Sequence, residues 1–239
     1  MIARVVLISA ATVVTLLLTG ASSCGSLTTT SPGTSSSSSS DSAAGGSAPT
    51  SNAATQAPTS APSPVTKSGH GDSVVPIPAP FNTQPTVVTA KNSGSSNFAV
   101  ETLKAGNAHG ELLVNTIGNY QGVVAMDFDG SNAAVNLQIT ASDGSWSITF
   151  SDPSTAAAFA GTGAAQGDDV VSYGGGSGAA TFKNNGQGNF AVVQFGSLGS
   201  GGGNLLVNVI GNYDGTVPIS AGGFLVITSD GNWSVSVSP

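Results

Sequence analysis

Leu112–Gly122 reads LLVNTIGNYQG, and Leu205–Gly215 reads LLVNVIGNYDG. Two near-identical stretches in one chain signal an internal repeat. Their flanks extend it in the same order. Gly71-Asp72-Ser73-Val74-Val75 is answered by Gly167-Asp168-Asp169-Val170-Val171, Lys91-Asn92 by Lys183-Asn184, and Asn97-Phe98-Ala99-Val100 by Asn189-Phe190-Ala191-Val192. Ser142-Asp143-Gly144-Ser145-Trp146-Ser147 is answered by Ser229-Asp230-Gly231-Asn232-Trp233-Ser234. The repeat predicts two copies of one module, at 72–151 and 168–239, joined by an Ala- and Gly-rich linker at 152–167.

Each copy reads as strands. Trp146, Ile148 and Phe150 alternate with Ser145, Ser147 and Thr149, and Trp233, Val235 and Val237 alternate with Ser234, Ser236 and Ser238. Period two with one apolar face marks a half-buried strand. Val135, Leu137 and Ile139 follow the same rule, as do Val124, Met126 and Phe128, answered by Val217 and Ile219. Asp143-Gly144 and Asp230-Gly231 supply tight turns, and Gly118-Asn119 and Gly211-Asn212 punctuate another. Gly occurs 33 times and only 7% of residues are charged, a composition poor for helices. The expected fold is all-β: two tandem antiparallel β-sandwich modules of about five or six short strands each.

The N-terminus has a different composition. After Arg4 an apolar run extends from Val5 to Leu18. It is too short for a transmembrane helix of about 20 residues, and it suits the apolar region of a secretory signal peptide. Thr19, Gly20, Ala21, Ser22 and Ser23 then lead to Cys24, the single cysteine of the chain. Residues 1–23 are expected to be a signal peptide and 24–71 a tether. From Ser26 to Gly71 the chain is mostly Ser, Thr, Ala, Pro and Gly, including the run Ser35–Ser40. Such a stretch cannot offset the entropy of ordering, and as a coil it would span about 40 Å. With one cysteine the modules hold no internal disulfide. The thiol is then an anchor, an intermolecular partner or a spare group in an exported chain.

The formal charge is −7, with five Lys and Arg in 239 residues. Nucleic-acid binding needs a basic footprint, so that class is set aside. An acidic surface also argues against attraction to anionic head groups, so membrane attachment must be covalent or by insertion. Catalysis finds few candidates. His70 falls in the tether, and His109, in the turn Ala105–Gly110, has no counterpart in the second copy. No nucleophile with a base, carboxylate pair or metal motif stands out. Asp127, Asp129 and Asn132 could offer oxygens to Ca²⁺, but the distant Glu of such loops is missing, and a hairpin turn is the preferred reading. No cofactor, metal or catalytic residue is expected.

Binding candidates remain. Alternation assigns Trp146 and Trp233 to the core. Tyr120 and Tyr213 each follow a Gly-Asn turn and are the candidate exposed aromatics for ligand contact. If Phe224 and Val226 face the core, Leu225 and Ile227 face outward, where the first copy has Gln138 and Thr140. That apolar outer face predicts an interface with the first module or with a partner.

Two resemblances sharpen these expectations. Small residues directly before Cys24 resemble the bacterial lipobox, although Ala21 stands where that family prefers Leu. The resemblance implies that Cys24 carries a diacylglyceryl and palmitate-type anchor, that the chain is cut before it, and that the protein sits on the extracytoplasmic side of the cell membrane. The pattern N-F-x-V, L-L-V-N-x-I-G-N-Y-x-G and D-G-x-W resembles small β-sandwich modules of extracytoplasmic bacterial proteins, over both copies. More distantly it is similar to accessory domains of secreted peptidases and to carbohydrate-binding sandwiches. The implied protein is a lipid-anchored, non-catalytic binding or spacer protein of the envelope, with a cell-wall polysaccharide or an envelope protein as partner. The alternative is an accessory domain or subunit of a secreted hydrolase.

Overall fold

The computed structural model describes residues 60–131 and 133–239. The expected signal peptide, Cys24, the tether up to residue 59 and Asn132 lie outside them. Residues 60–239 belong to one compact unit. Among the described residues the only helical pieces are the single 3₁₀ turns Ala105–Asn107 and Pro153–Thr155, and no helix is long and apolar enough to cross a membrane.

The first module contains β1 (Val65–His70), β2 (Ser73–Pro76), β3 (Thr86–Asn92), β4 (Asn97–Lys104), β5 (His109–Ile117), β6 (Tyr120–Met126), β7 (Ala134–Ala141) and β8 (Ser145–Ser151). They form two sheets, β1-β8-β3-β6 and β2-β7-β4-β5. The second contains β9 (Ala157–Phe159), β10 (Thr162–Gln166), β11 (Asp169–Tyr173), β12 (Gly178–Asn184), β13 (Asn189–Phe195), β14 (Asn204–Ile210), β15 (Tyr213–Ile219), β16 (Phe224–Thr228) and β17 (Asn232–Ser238). Its sheets run β10-β17-β12-β15 and β14-β13-β16-β11-β9. Without β9 the two orders are identical, strand for strand, so the repeat in sequence is a repeat in topology. The fold is all-β, and among the described residues only β9 pairs in parallel, with β11.

Each module has its own core between its sheets. In the first, Val88, Phe98, Val100, Leu137, Ile148 and Phe150 are fully buried; in the second, Phe182, Phe190, Val192, Leu225 and Ile227 are. Each such side chain contributes about 1.5–3 kcal/mol on burial, which these cores need in the absence of a disulfide. Trp146 and Trp233 lie in these cores, and each indole nitrogen donates to a carbonyl, Gly71 (2.9 Å) and Gly167 (3.1 Å) respectively.

The strand boundaries differ from the expected ones. β1 falls in the stretch read as tether and β10 in the stretch read as linker, so each sandwich begins before residues 72 and 168. VTKSGH and TGAAQ show no apolar alternation, because each is an edge strand held on one side only. β1 pairs with β8 from Val65↔Phe150 to His70↔Ser145, and β10 pairs with β17. Gly69 lets the Trp146 ring lie directly against β1, since a Cβ there would collide with it.

The faces of β16 are also the reverse of the expected ones. Val171 pairs with Leu225 where Val75 pairs with Leu137, so Leu225 and Ile227 match Leu137 and Ile139, and Val226 matches Gln138. Leu225 and Ile227 are buried core residues, and Phe224 and Val226 lie on the outer face. A one-residue difference in register exchanges the two faces of a strand.

That outer face meets the first module. Val87, Phe128 and Val170 are buried in a third cluster, with Val123, Ala125, Phe195, Phe224 and Val226 packed around them. Phe128 sits edge-on to Phe195 (centroids 5.6 Å apart) and Phe224 (5.7 Å). Backbone hydrogen bonds tie the rim: Gly199 N–H to Phe128 O (2.8 Å), Gly201 N–H to Asp129 O (3.1 Å) and Val123 N–H to Asp168 O (2.9 Å). The apolar outer face foreseen for the second module thus packs on the first, through Phe224 and Val226 instead of Leu225 and Ile227.

Candidate functional site

The same shallow depression occurs at equivalent places in both modules. In the second, of about 600 Å³, the end of β12 brings Lys183 and Asn184, the start of β15 brings Tyr213 and Asp214, and the start of β17 brings Trp233 and Ser234. Asn232 at the start of β17, Asn185 and Asn212 from the adjoining turns, and Ala164 of β10 complete the lining. In the first module, of about 510 Å³, the corresponding residues are Lys91, Asn92, Tyr120, Gln121, Trp146 and Ser147, with Ser145 at the start of β8 and Ser93 and Asn119 from the turns.

Register explains the assembly. Asn184 pairs with both Tyr213 and Trp233, and Lys183 with both Asp214 and Ser234. Adjacent residues on a strand point to opposite faces, so one row points inward and the other outward. The inward Asn braces the turn that carries the tyrosine: Asn184 Nδ2 donates to Gly211 O (3.0 Å), and Asn92 Nδ2 to Gly118 O (3.1 Å). Both glycines have positive φ, 91° and 94°, which a side chain would strain. The tyrosine then folds back over the glycine two residues on; a Cβ at Gly122 or Gly215 would collide with the hydroxyl of Tyr120 or Tyr213. Each ring also tilts against a core phenylalanine, Tyr120 on Phe98 (5.8 Å) and Tyr213 on Phe190 (5.7 Å).

The two depressions differ in their hydrogen bonding. Tyr120 donates from its hydroxyl to Asp168 Oδ2 of the second module (2.7 Å), and burial together with the Asp168 charge pushes its ionisation far above the usual range. Asp168 Oδ1 accepts from Ser229 N–H (2.9 Å), so the carboxylate bridges the joint. No partner of the Tyr213 hydroxyl is found among the described residues. The buried Asn184 Oδ1 accepts from Ser229 Oγ (2.8 Å), whereas the equally buried Asn92 Oδ1 has no hydrogen-bond partner among the described residues. On the outer row Lys183 donates to Asp214 (2.9 Å), while Lys91 faces Gln121 across the ladder.

Tyr120 and Tyr213, expected as exposed aromatics, are both half-buried, and Tyr120 is in addition a contact between modules. The amides that surround them were not foreseen as site residues, although Lys91-Asn92 and Lys183-Asn184 stood out as repeat markers. The remaining candidates stand apart. His109 is exposed at the start of β5 and pairs with Glu101 (2.9 Å). Asp129 accepts twice from the Ser131 hydroxyl (both 2.8 Å), and Gly130 N–H donates to Asp127 O (3.1 Å), the geometry of a turn. No cluster of three or more His, Cys, Asp or Glu able to hold a metal occurs among the described residues.

Neither a comparison with family models nor one with curated proteins found a match. Among solved structures, a conserved protein of unknown function from Pseudomonas aeruginosa PAO1 is similar over 74% of this chain and 79% of its own, at 9% identity and a TM-score of 0.24.

Proposed function

We propose that this chain is a non-catalytic binding protein of the bacterial envelope, held at the extracytoplasmic face of the cell membrane through Cys24, with a cell-wall polysaccharide as ligand. The observation that carries the binding role is the repeated depression lined by amides, hydroxyls and an aromatic ring. Amides and hydroxyls each donate and accept, as sugar hydroxyls do, and a tyrosine adds a flat apolar surface. The anchor rests on the small residues before Cys24 and on the Ser/Thr/Pro-rich stretch that separates it from β1.

The test has two parts. Wild type should partition into detergent and Cys24→Ala into water; equal partitioning into water would remove the anchor. The intact protein should co-sediment saturably with purified cell-wall polysaccharide. Loss of every wall interaction would replace the ligand with a protein partner or leave a spacer.

A further inference from the structure

Resting on that reading, we infer that the two depressions have diverged in use: the second module's is the ligand site and takes an uncharged, hydroxyl-rich saccharide, while the first module's has become part of the joint between modules. The repeat built both from the same residues. In the first, Asp168 of the second module has taken the Tyr120 hydroxyl, and its own carbonyl accepts from Val123 N–H on the edge strand β6. The group that would meet a sugar hydroxyl is already satisfied within the chain.

In the second module the matching edge strand is β15, and among the described residues nothing pairs with its outer side. The Tyr213 hydroxyl faces no such partner. Amide content separates the sites further. Where the first has Ser93 and Ser145, the second has Asn185 and Asn232, so three rim asparagines, with Asn212, surround the ring. Asn185 Oδ1 already accepts from Asn232 N–H (2.7 Å) and Asn212 Oδ1 from Gln187 Nε2 (3.3 Å), so what these two amides offer a hydroxyl is chiefly their nitrogen.

The ligand's charge follows from Lys183 and Asp214. They neutralise each other at the rim, and no other charged side chain lines the depression. Residues 168–239 otherwise hold three more aspartates and no further Lys or Arg. An anionic polymer would meet net repulsion there, and a cationic one no unpaired carboxylate in the lining.

The experiment uses the full chain in mild detergent with two probes, a neutral wall polysaccharide and a uronate-containing one, read by co-sedimentation and intrinsic tryptophan fluorescence. The double variant Asn212→Ala/Asn232→Ala should weaken binding of the neutral polymer by about tenfold or more, as expected for truncating central contacts. Tyr213→Phe keeps the ring and the fold and should weaken it several-fold. Tyr120→Phe should leave it unchanged. A loss with Tyr120→Phe equal to that with Tyr213→Phe, retained binding in the double variant, or preference for the uronate polymer would overturn the inference while leaving wall binding intact. Wild type that binds neither probe would overturn both.

Discussion

Tyr120 and Tyr213 follow equivalent Gly-Asn turns, fold back over equivalent glycines and lean on equivalent phenylalanines, yet among the described residues only Tyr120 has a partner at its hydroxyl. The difference has a thermodynamic signature. Tyr120→Phe removes the hydrogen bond to Asp168 and should cost about 1–2 kcal/mol, because the acceptor is charged and part-buried. Tyr213→Phe removes no hydrogen bond found among the described residues and should cost close to nothing. Urea unfolding of the two variants side by side checks this, and equal midpoints would contradict it. The sequence makes both tyrosines stand out, since the repeat quotes them twice. It does not reveal their different fates, because Tyr120 and Asp168 lie in different modules and no local pattern joins them.

The next scale is the turn and the strand. Asp143, in the β7–β8 turn, reaches across to the β3–β4 turn and accepts from Ser95 N–H, Ser95 Oγ and Ser96 N–H. Asp230 does the same in the second module, accepting from Gly188 N–H (2.9 Å). The Ser95 and Ser96 hydrogen bonds lower Asp143 from 3.8 to about 2. A carboxylate held down in the folded state adds stability that is fully present above its unfolded pKa and fades as pH falls through the folded one. Wild type should therefore exceed Asp143→Asn in stability at pH 5, and the gap should close between about pH 4 and 2. Denaturation midpoints across that range measure it, and a constant gap would refute the brace.

Legibility at this scale depended on alternation. β8 and β17 have one apolar face each and were plain in the sequence. β1 and β10 have none, since an edge strand covered on one side needs no apolar row and a small residue suffices beneath a tryptophan. On β16 the apolar run Phe224-Leu225-Val226-Ile227 is buried on both faces, so period two disappears and the inward side cannot be chosen from the strand alone. The counterpart β7 carried the answer, because its polar Gln138 marks the outer face once the ladders are in register.

For the whole molecule the decisive contact is Phe128. It stands in the turn after β6, packs edge-on against two phenylalanines of the second module, and has Ala221 at the matching place in the other copy. Phe128→Ala should cost about 3 kcal/mol or more. Because the cores are separate, the loss falls on the coupling between modules. Calorimetry should resolve one transition in wild type into two in the variant, and a single transition at lower temperature would show that the modules unfold together without this ring. The same comparison explains why the joint forms on one face of each module only. Opposite the apolar row Val170, Val226 and Val193, the first module places Val74, Gln138 and Glu101, and the second replaces Val123 and Ala125 with Thr216 and Pro218. Either free face lacks the apolar area to repeat it.

The pairing of β1 with β8 has a mechanical consequence. The chain enters the first module at Val65 and leaves it after Ser151, and Val65 lies directly opposite Phe150. Entry and exit are therefore at the same end of one antiparallel ladder. Tension between the preceding segment and the second module would act across that ladder as on a zipper, opening one pair after another from Val65, and would bypass the rest of the sandwich. The contacts around Phe128 and Asp168 lie alongside this path and would take the strain first, so the joint also shields this ladder against pulling.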